Sequence, residues 1–190
     1  MEEMRPHAHD LYRRVFPGCT VEDCRINGKG VHTLDKHFGI DTIIRLKTGS
    51  FFTLQEKYRE ANFIKYQDFT QGYMTGAGTG QESPGEWFKL EADLYFYGWA
   101  NEDNDGFKKW FLMDVVQYKL MVECAGGLER IGNLRQNRFH SKTSFYSVHL
   151  DHVKPCWIAT YLDYPPELEQ PAPVVPEAEQ TELKLEPWLQ

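Results

Sequence analysis

The stretch that most constrains this chain is residues 38–59, FGIDTIIRLKTGSFFTLQEKYR. Two alternating runs rich in β-branched and aromatic side chains flank Lys47-Thr48-Gly49, and a period of two favours strands over a helix. In the first arm Thr42, Ile44 and Leu46 share one side, with Asp41, Ile43 and Arg45 on the other. In the second, Phe52, Leu54 and Glu56 oppose Phe51, Thr53, Gln55 and Lys57. Loop length decides which residues meet. A three-residue connection, with Gly49 in the left-handed conformation, sets Ile44 opposite Phe52 and Thr42 opposite Leu54. One face is then mainly apolar, and the other gathers Asp41, Gln55 and Lys57. A two-residue Thr48-Gly49 loop shifts the register by one, brings Glu56 beside Asp41 and scatters the apolar side chains over both faces. The three-residue loop is preferred because it segregates the faces.

A carboxylate, an amide and an ammonium on adjacent strands make a coherent chemical set. The Asp41 carboxylate is a hard oxygen ligand for Mg²⁺, which keeps several waters and needs only one or two protein carboxylates. Gln55 can lend its amide oxygen to the same ion or orient a water. Lys57 can stabilise developing charge or hold an attacking hydroxide. The order Gly39-Ile40-Asp41, a strand, a Gly turn and then Gln55-x-Lys57 resembles the PD-(D/E)XK nuclease superfamily. The resemblance implies a restriction-endonuclease-like α/β fold, a mixed central β-sheet flanked by helices. It implies Asp41 as the metal-binding Asp, Lys57 as the catalytic Lys, and Gln55 at the middle acidic position in a Gln-for-Glu form. It further implies Mg²⁺ or Mn²⁺ as cofactor and nucleic acid, with DNA foremost, as substrate. The chain departs from the pattern in having no Pro before Asp41 and a neutral Gln55. A further acid would complete the metal set, and Glu56, Asp35 and Asp10 are the candidates. The plainer alternative is an exposed ribbon face with a surface Asp–Lys pair of little energetic weight.

Composition sets the frame for that motif. At 190 residues with 41% hydrophobic and 14% aromatic content, the chain suits one domain with an appendage: a core over 1–164 and an acidic Pro/Glu-rich tail over 165–190. The net charge is −7, but the tail alone holds six Glu and one Lys, so residues 1–164 carry only −2. A nearly neutral domain can still bind phosphates if its cations gather on one face. The four cysteines form no CxxC pair, which suggests free thiols in a reducing, cytoplasmic setting. A zinc site from Cys19, Cys24, His7 and His9 matches no common ligand spacing. There is no apolar run of membrane-spanning length, and MEEMRPHAHDLYRR lacks an apolar leader core, so no membrane partner is expected.

Along the chain, residues 7–16 suggest a short helix with Leu11, Val15 and Phe16 on one face and Asp10 near its start. Strands are expected around TVEDCRI and GVHTLD in 20–35, separated by a turn at Asn27-Gly28. Residues 58–88 read as a long surface loop in which Arg59, Lys65, Tyr66 and Tyr73 line a nucleic-acid groove. Strands follow at 91–98 and 109–114, then a helix at 115–126 with Val115, Val116, Leu120, Met121 and Cys124 on its face, closed by Gly126-Gly127. Residues 129–145 gather Arg130, Arg135, Arg138, His140 and Lys142 against a single Glu129, a candidate phosphate-contacting patch. Residues 144–153 read as a strand and Trp157–Leu162 as a last core-packing piece. The tail reads as disordered or extended to about Glu179 and ends in LKLEPWLQ, a short apolar motif suited to docking onto this chain itself or onto a partner protein. Two functions follow as expectations. One is a Mg²⁺-dependent nuclease; the other is a catalytically weak or inactive nuclease-fold module that binds a partner protein.

Overall fold

The alternating arms pair as a hairpin in the register that a three-residue turn dictates. In the computed structural model, which describes residues 2–24, 33–137 and 142–161, Ile44 lies opposite Phe52 and Thr42 opposite Leu54. Gly49 closes the turn at φ +89, the conformation that favours glycine. Around the hairpin the chain runs α1 (Arg5–Val15), β1 (Thr20–Asp23), α2 (Thr33–Phe38), β2 (Thr42–Arg45) and β3 (Phe51–Arg59). It continues through a 3-10 helix (Ala61–Tyr66), β4 (Asp68–Thr75), β5 (Ser83–Pro84), α3 (Glu86–Lys89), β6 (Leu94–Ala100) and β7 (Phe107–Asp114). The remainder is α4 (Val115–Ala125), α5 (Leu128–Ile131), β8 (Gly132–Gln136), β9 (Ser144–His149), α6 (Leu150–Val153) and β10 (Trp157–Thr160).

Two sheets result. The central one is mixed and has the order β1-β2-β3-β6-β7-β10; the second has the order β5-β4-β9-β8. Among the described residues only β3 and β6 pair in parallel. Parallel neighbours need a long crossover, and here the crossover itself contains β4, β5 and α3, so it builds half of the second sheet. The architecture is therefore α/β, with a central mixed sheet and flanking helices, as expected.

Each face of the central sheet has its own core. Ile44, Leu54, Leu94, Phe96 and Leu112 pack beneath Ala8 and Tyr12 of α1. On the other face Tyr95, Tyr97, Phe111 and Met113 meet Phe69 of β4, Tyr118 of α4 and Val148 of β9. Phe69 sits edge-on to Tyr95, Tyr97 and Tyr118 at centroid distances of 5.3, 5.1 and 5.4 Å, the aromatic geometry that adds to simple burial.

Several expectations are corrected. On α1 the buried line is Ala8 and Tyr12, continuing Met4, while Leu11, Val15 and Phe16 lie at its margin. Thr33 to Asp35 are helical rather than extended; the turn at Asn27-Gly28 lies outside the described residues. The stretch 58–88 is not a surface loop, because β4 is an inner strand with Phe69, Thr70 and Gln71 buried. On α4 the core side is Val115, Tyr118 and Val122, and Val116 and Leu120 point to solvent. The segment 144–153 is a strand only to His149, after which α6 begins. The tail from 165 onward lies outside the described residues. Among the described residues no helix is long and apolar enough to cross a membrane.

Burial of hydroxyls and a thiol gives the fold an alkaline weakness. Burial, with nearby carboxylates, pushes the Cys24 thiol up to about 11, and burial, against the opposing Arg59 charge, pushes the Tyr97 hydroxyl up to about 12. These groups stay protonated in the native state while the unfolded chain releases protons near the ordinary values, so the unfolded state binds fewer protons as pH rises. The urea midpoint is expected to fall steadily from about pH 9 to about pH 12, and less steeply in Tyr97→Phe. A midpoint flat across that range would contradict the burial of these groups.

Candidate active site

Asp41 is delivered by two local features. A left-handed Gly39, at φ +58, ends α2, and its N–H donates to the Asp35 carbonyl at 3.2 Å. Asp41 then joins the sheet, its N–H donating to Leu54 O at 2.7 Å. Glycine is required at position 39 for a second reason: a Cβ there would lie 2.8 Å from the Gln55 Oε1.

The Asp41 side chain is buried, at 5% exposure, and its Oδ2 accepts the Gln55 Nε2 at 2.6 Å and the Glu56 backbone N–H at 2.7 Å. Gln55, Lys57 and Arg59 alternate along β3 and project from the face that meets the second sheet. The Lys57 Nζ donates to the Thr70 carbonyl at 2.8 Å and pairs with Glu86 Oε2 at 3.1 Å. Arg59 donates to the Thr70 hydroxyl at 3.2 Å and stacks over Phe63 at 4.3 Å. Tyr95, opposite Gln55 on β6, donates its hydroxyl to Glu86 Oε1. Burial, reinforced by the Glu86 charge and more weakly by Asp41, pushes that hydroxyl well above the ordinary tyrosine value, so it acts as a hydrogen-bond donor.

Glu86 opens α3, and its seat depends on two residues without side chains. A Cβ on Gly72 would come within 3.1 Å of Glu86 Oε2, and one on Gly85 within 2.7 Å of the Tyr73 carbonyl carbon. Gln55, Lys57, Arg59, Thr70 and Glu86 line an open cleft of about 600 Å³ between the sheets, with Asp35, Lys36 and Lys89 also on its wall.

The sequence-derived set divides. Asp41 and Gln55 are in contact, and Lys57 lies on the same face, but its ammonium pairs with Glu86 rather than Asp41. Glu56 is corrected as a metal candidate. The parity of β3 turns it to the opposite face, where the Tyr12 and Tyr58 hydroxyls donate to it at 2.8 and 2.5 Å beneath α1. Asp10 is exposed on α1, the helix covering that opposite face, and pairs with Arg13 at 2.7 Å. Asp35 does line the cleft.

Of the proposed phosphate contacts, Arg59 is in the cleft and Lys65 stacks 5.2 Å over Tyr66 on the 3-10 helix. Arg130, Arg135 and Lys142 are exposed elsewhere, Arg135 in a separate groove with Ala77 and Gly78. Arg138 and His140 lie outside the described residues. Three cleft residues escape the sequence reading. Lys36 and Lys89 stand alone in sequence, and Glu86 falls in what reads as loop; the Gly85-Glu86 step into a helical turn is its only local signal. Among the described residues no group of three or more His, Cys, Asp or Glu side chains is placed to hold a metal ion. The oxygen donors near the cleft are instead carboxylate, amide and backbone carbonyl. Compared with family models, curated proteins and solved structures, the chain has no match in any of the three.

The Glu86 contacts carry a stability expectation. Glu86→Ala removes the acceptor of both Lys57 and the buried Tyr95 hydroxyl and is expected to cost about 1–3 kcal/mol in urea unfolding. Glu102→Ala, which breaks the exposed 2.7 Å pair with Lys108, is expected to leave the midpoint unchanged. Equal losses in the two variants would contradict a buried role for Glu86.

Proposed function

We propose that the protein is a metal-dependent phosphodiesterase that hydrolyses nucleic acid, DNA foremost, in the cleft between its two sheets. The observation that carries this reading is the 2.6 Å Asp41–Gln55 contact, with Lys57 two residues further on the same strand face and open to the cleft. Asp41 and the Gln55 amide oxygen are hard donors of the kind that suit Mg²⁺ or Mn²⁺. A bound divalent ion would lower the pKa of its water and polarise a phosphoryl group. The chain's own residues do the rest. Lys57 offers an ammonium to charge developing on phosphate, and Lys36, Arg59 and Lys89 on the cleft wall attract the backbone of the substrate. The mixed central sheet with flanking helices agrees with the resemblance to the PD-(D/E)XK nucleases. The free thiols suit a cytoplasmic enzyme.

One observation favours a second reading, a non-catalytic module of the same fold that binds a partner protein, with the acidic tail contributing. The polar groups satisfy one another: Asp41 Oδ2 takes two N–H donors, and Lys57 is held by Thr70 and Glu86. The two readings separate in one assay, with duplex and single-stranded DNA, and RNA alongside, incubated in Mg²⁺ or Mn²⁺. Asp41→Ala and Lys57→Ala are each expected to slow cleavage on the order of 10²-fold or more. Absence of cleavage by the wild type, or equal cleavage by the variants, would contradict the enzyme. A protein partner lost on deletion of 165–190, with no metal bound, would favour the module.

A further inference from the structure

The Gln55-x-Lys57 motif is short of a carboxylate, and α3, packed against β4, holds one beside it. Building on the metal-dependent reading, we infer that Glu86 supplies the second carboxylate of the metal site. The Lys57 ammonium holds the cation position at Glu86 until a divalent ion takes it.

The Lys57 Nζ marks a seat for positive charge. It is gripped by oxygens from two separate elements, the Thr70 carbonyl of β4 at 2.8 Å and Glu86 Oε2 at 3.1 Å. The ammonium nitrogen stands in for a cation there, and a carboxylate with a backbone carbonyl is a donor set that Mg²⁺ and Mn²⁺ accept. Glu86 is not a solvated surface acid: its side chain is only 17% exposed, and its other oxygen is fixed by the Tyr95 hydroxyl. Gly72 and Gly85 leave it the room to reach this position. It shares the cleft wall with Gln55, which in turn holds Asp41.

The other acids are worse placed. Glu56 is committed to Tyr12 and Tyr58 on the opposite face, and Asp10 to Arg13 in solvent. With a divalent ion bound at Glu86, the Lys57 ammonium would be free to turn into the cleft that it already lines, where it would meet a phosphate. Metal loading and activation of Lys57 are then one event.

The test reads metal binding and not cleavage. Metal-free full-length protein is titrated with Mn²⁺, following free Mn²⁺ by electron paramagnetic resonance, with no nucleic acid present. Glu86→Gln, which keeps an acceptor for Tyr95, is expected to weaken Mn²⁺ binding by at least about tenfold. Lys57→Met removes the competing ammonium and is expected to bind Mn²⁺ more tightly than wild type, a change that a merely structural Glu86–Lys57 pair would not produce. Wild-type affinity in Glu86→Gln, or weaker binding in Lys57→Met, overturns the inference. If Asp41→Asn abolishes binding while Glu86→Gln retains it, Glu86 is excluded and the metal reading stands. A wild type that binds no Mn²⁺ at millimolar concentration rejects both.

Discussion

The parity of β3 is the constraint on which everything else rests. The three-residue turn at Lys47–Gly49 locks β3 against β2 so that Leu54 and Glu56 face α1 while Gln55, Lys57 and Arg59 face the second sheet. A slip of one residue would exchange these two sets entirely. It would put the Lys57 ammonium into the apolar layer of Ile44, Phe96 and Leu112, and Leu54 into the cleft. The apolar side therefore fixes the polar side. Burial of Ile44 and Leu54, at about 25 cal/mol per Å² of apolar surface, holds the register that aligns Gln55 and Lys57.

The same strand explains why the site needs a second sheet. The parallel β3–β6 pairing demands a crossover, and the chain uses it to bring β4 and α3 across the face where Lys57 emerges. Thr70 and Glu86 arrive by that route, and Thr70 also receives Arg59 and meets the Tyr97 hydroxyl at 2.9 Å. The layer between the sheets is consequently rich in tyrosine. Rings fill the core while hydroxyls reach the polar rim, as Tyr95 does toward Glu86. The fold thus places a hydrogen-bonded polar network directly against a dry aromatic core, where charges act over short distances with little screening.

Much of this is legible in the sequence, and the parts that are not have physical reasons. The hairpin register, the face shared by Asp41, Gln55 and Lys57, and the elements β6, β7 and α4 follow from alternation, turn glycines and capping. The strand β4 does not, because Gln71 is polar yet fully buried, which erases the period that would reveal it. The core side of α4 is misplaced because Tyr118 does the packing, against Phe69 and Trp87, while Val116 and Leu120 lie outward. The one-turn α3 is too short for any periodicity, so Glu86 is invisible until the chain folds back. Glu56 misleads for the opposite reason: it belongs to the motif by adjacency, but adjacent strand residues face opposite ways.

The most direct test of the account is a crystal structure of the protein grown with Mn²⁺, read from the anomalous signal of the metal. A single strong peak is expected in the cleft, coordinated from the Asp41, Gln55 and Glu86 side, with the Lys57 ammonium withdrawn from Glu86. A metal-free cleft at saturating Mn²⁺, with the Lys57–Glu86 pair intact, would contradict it.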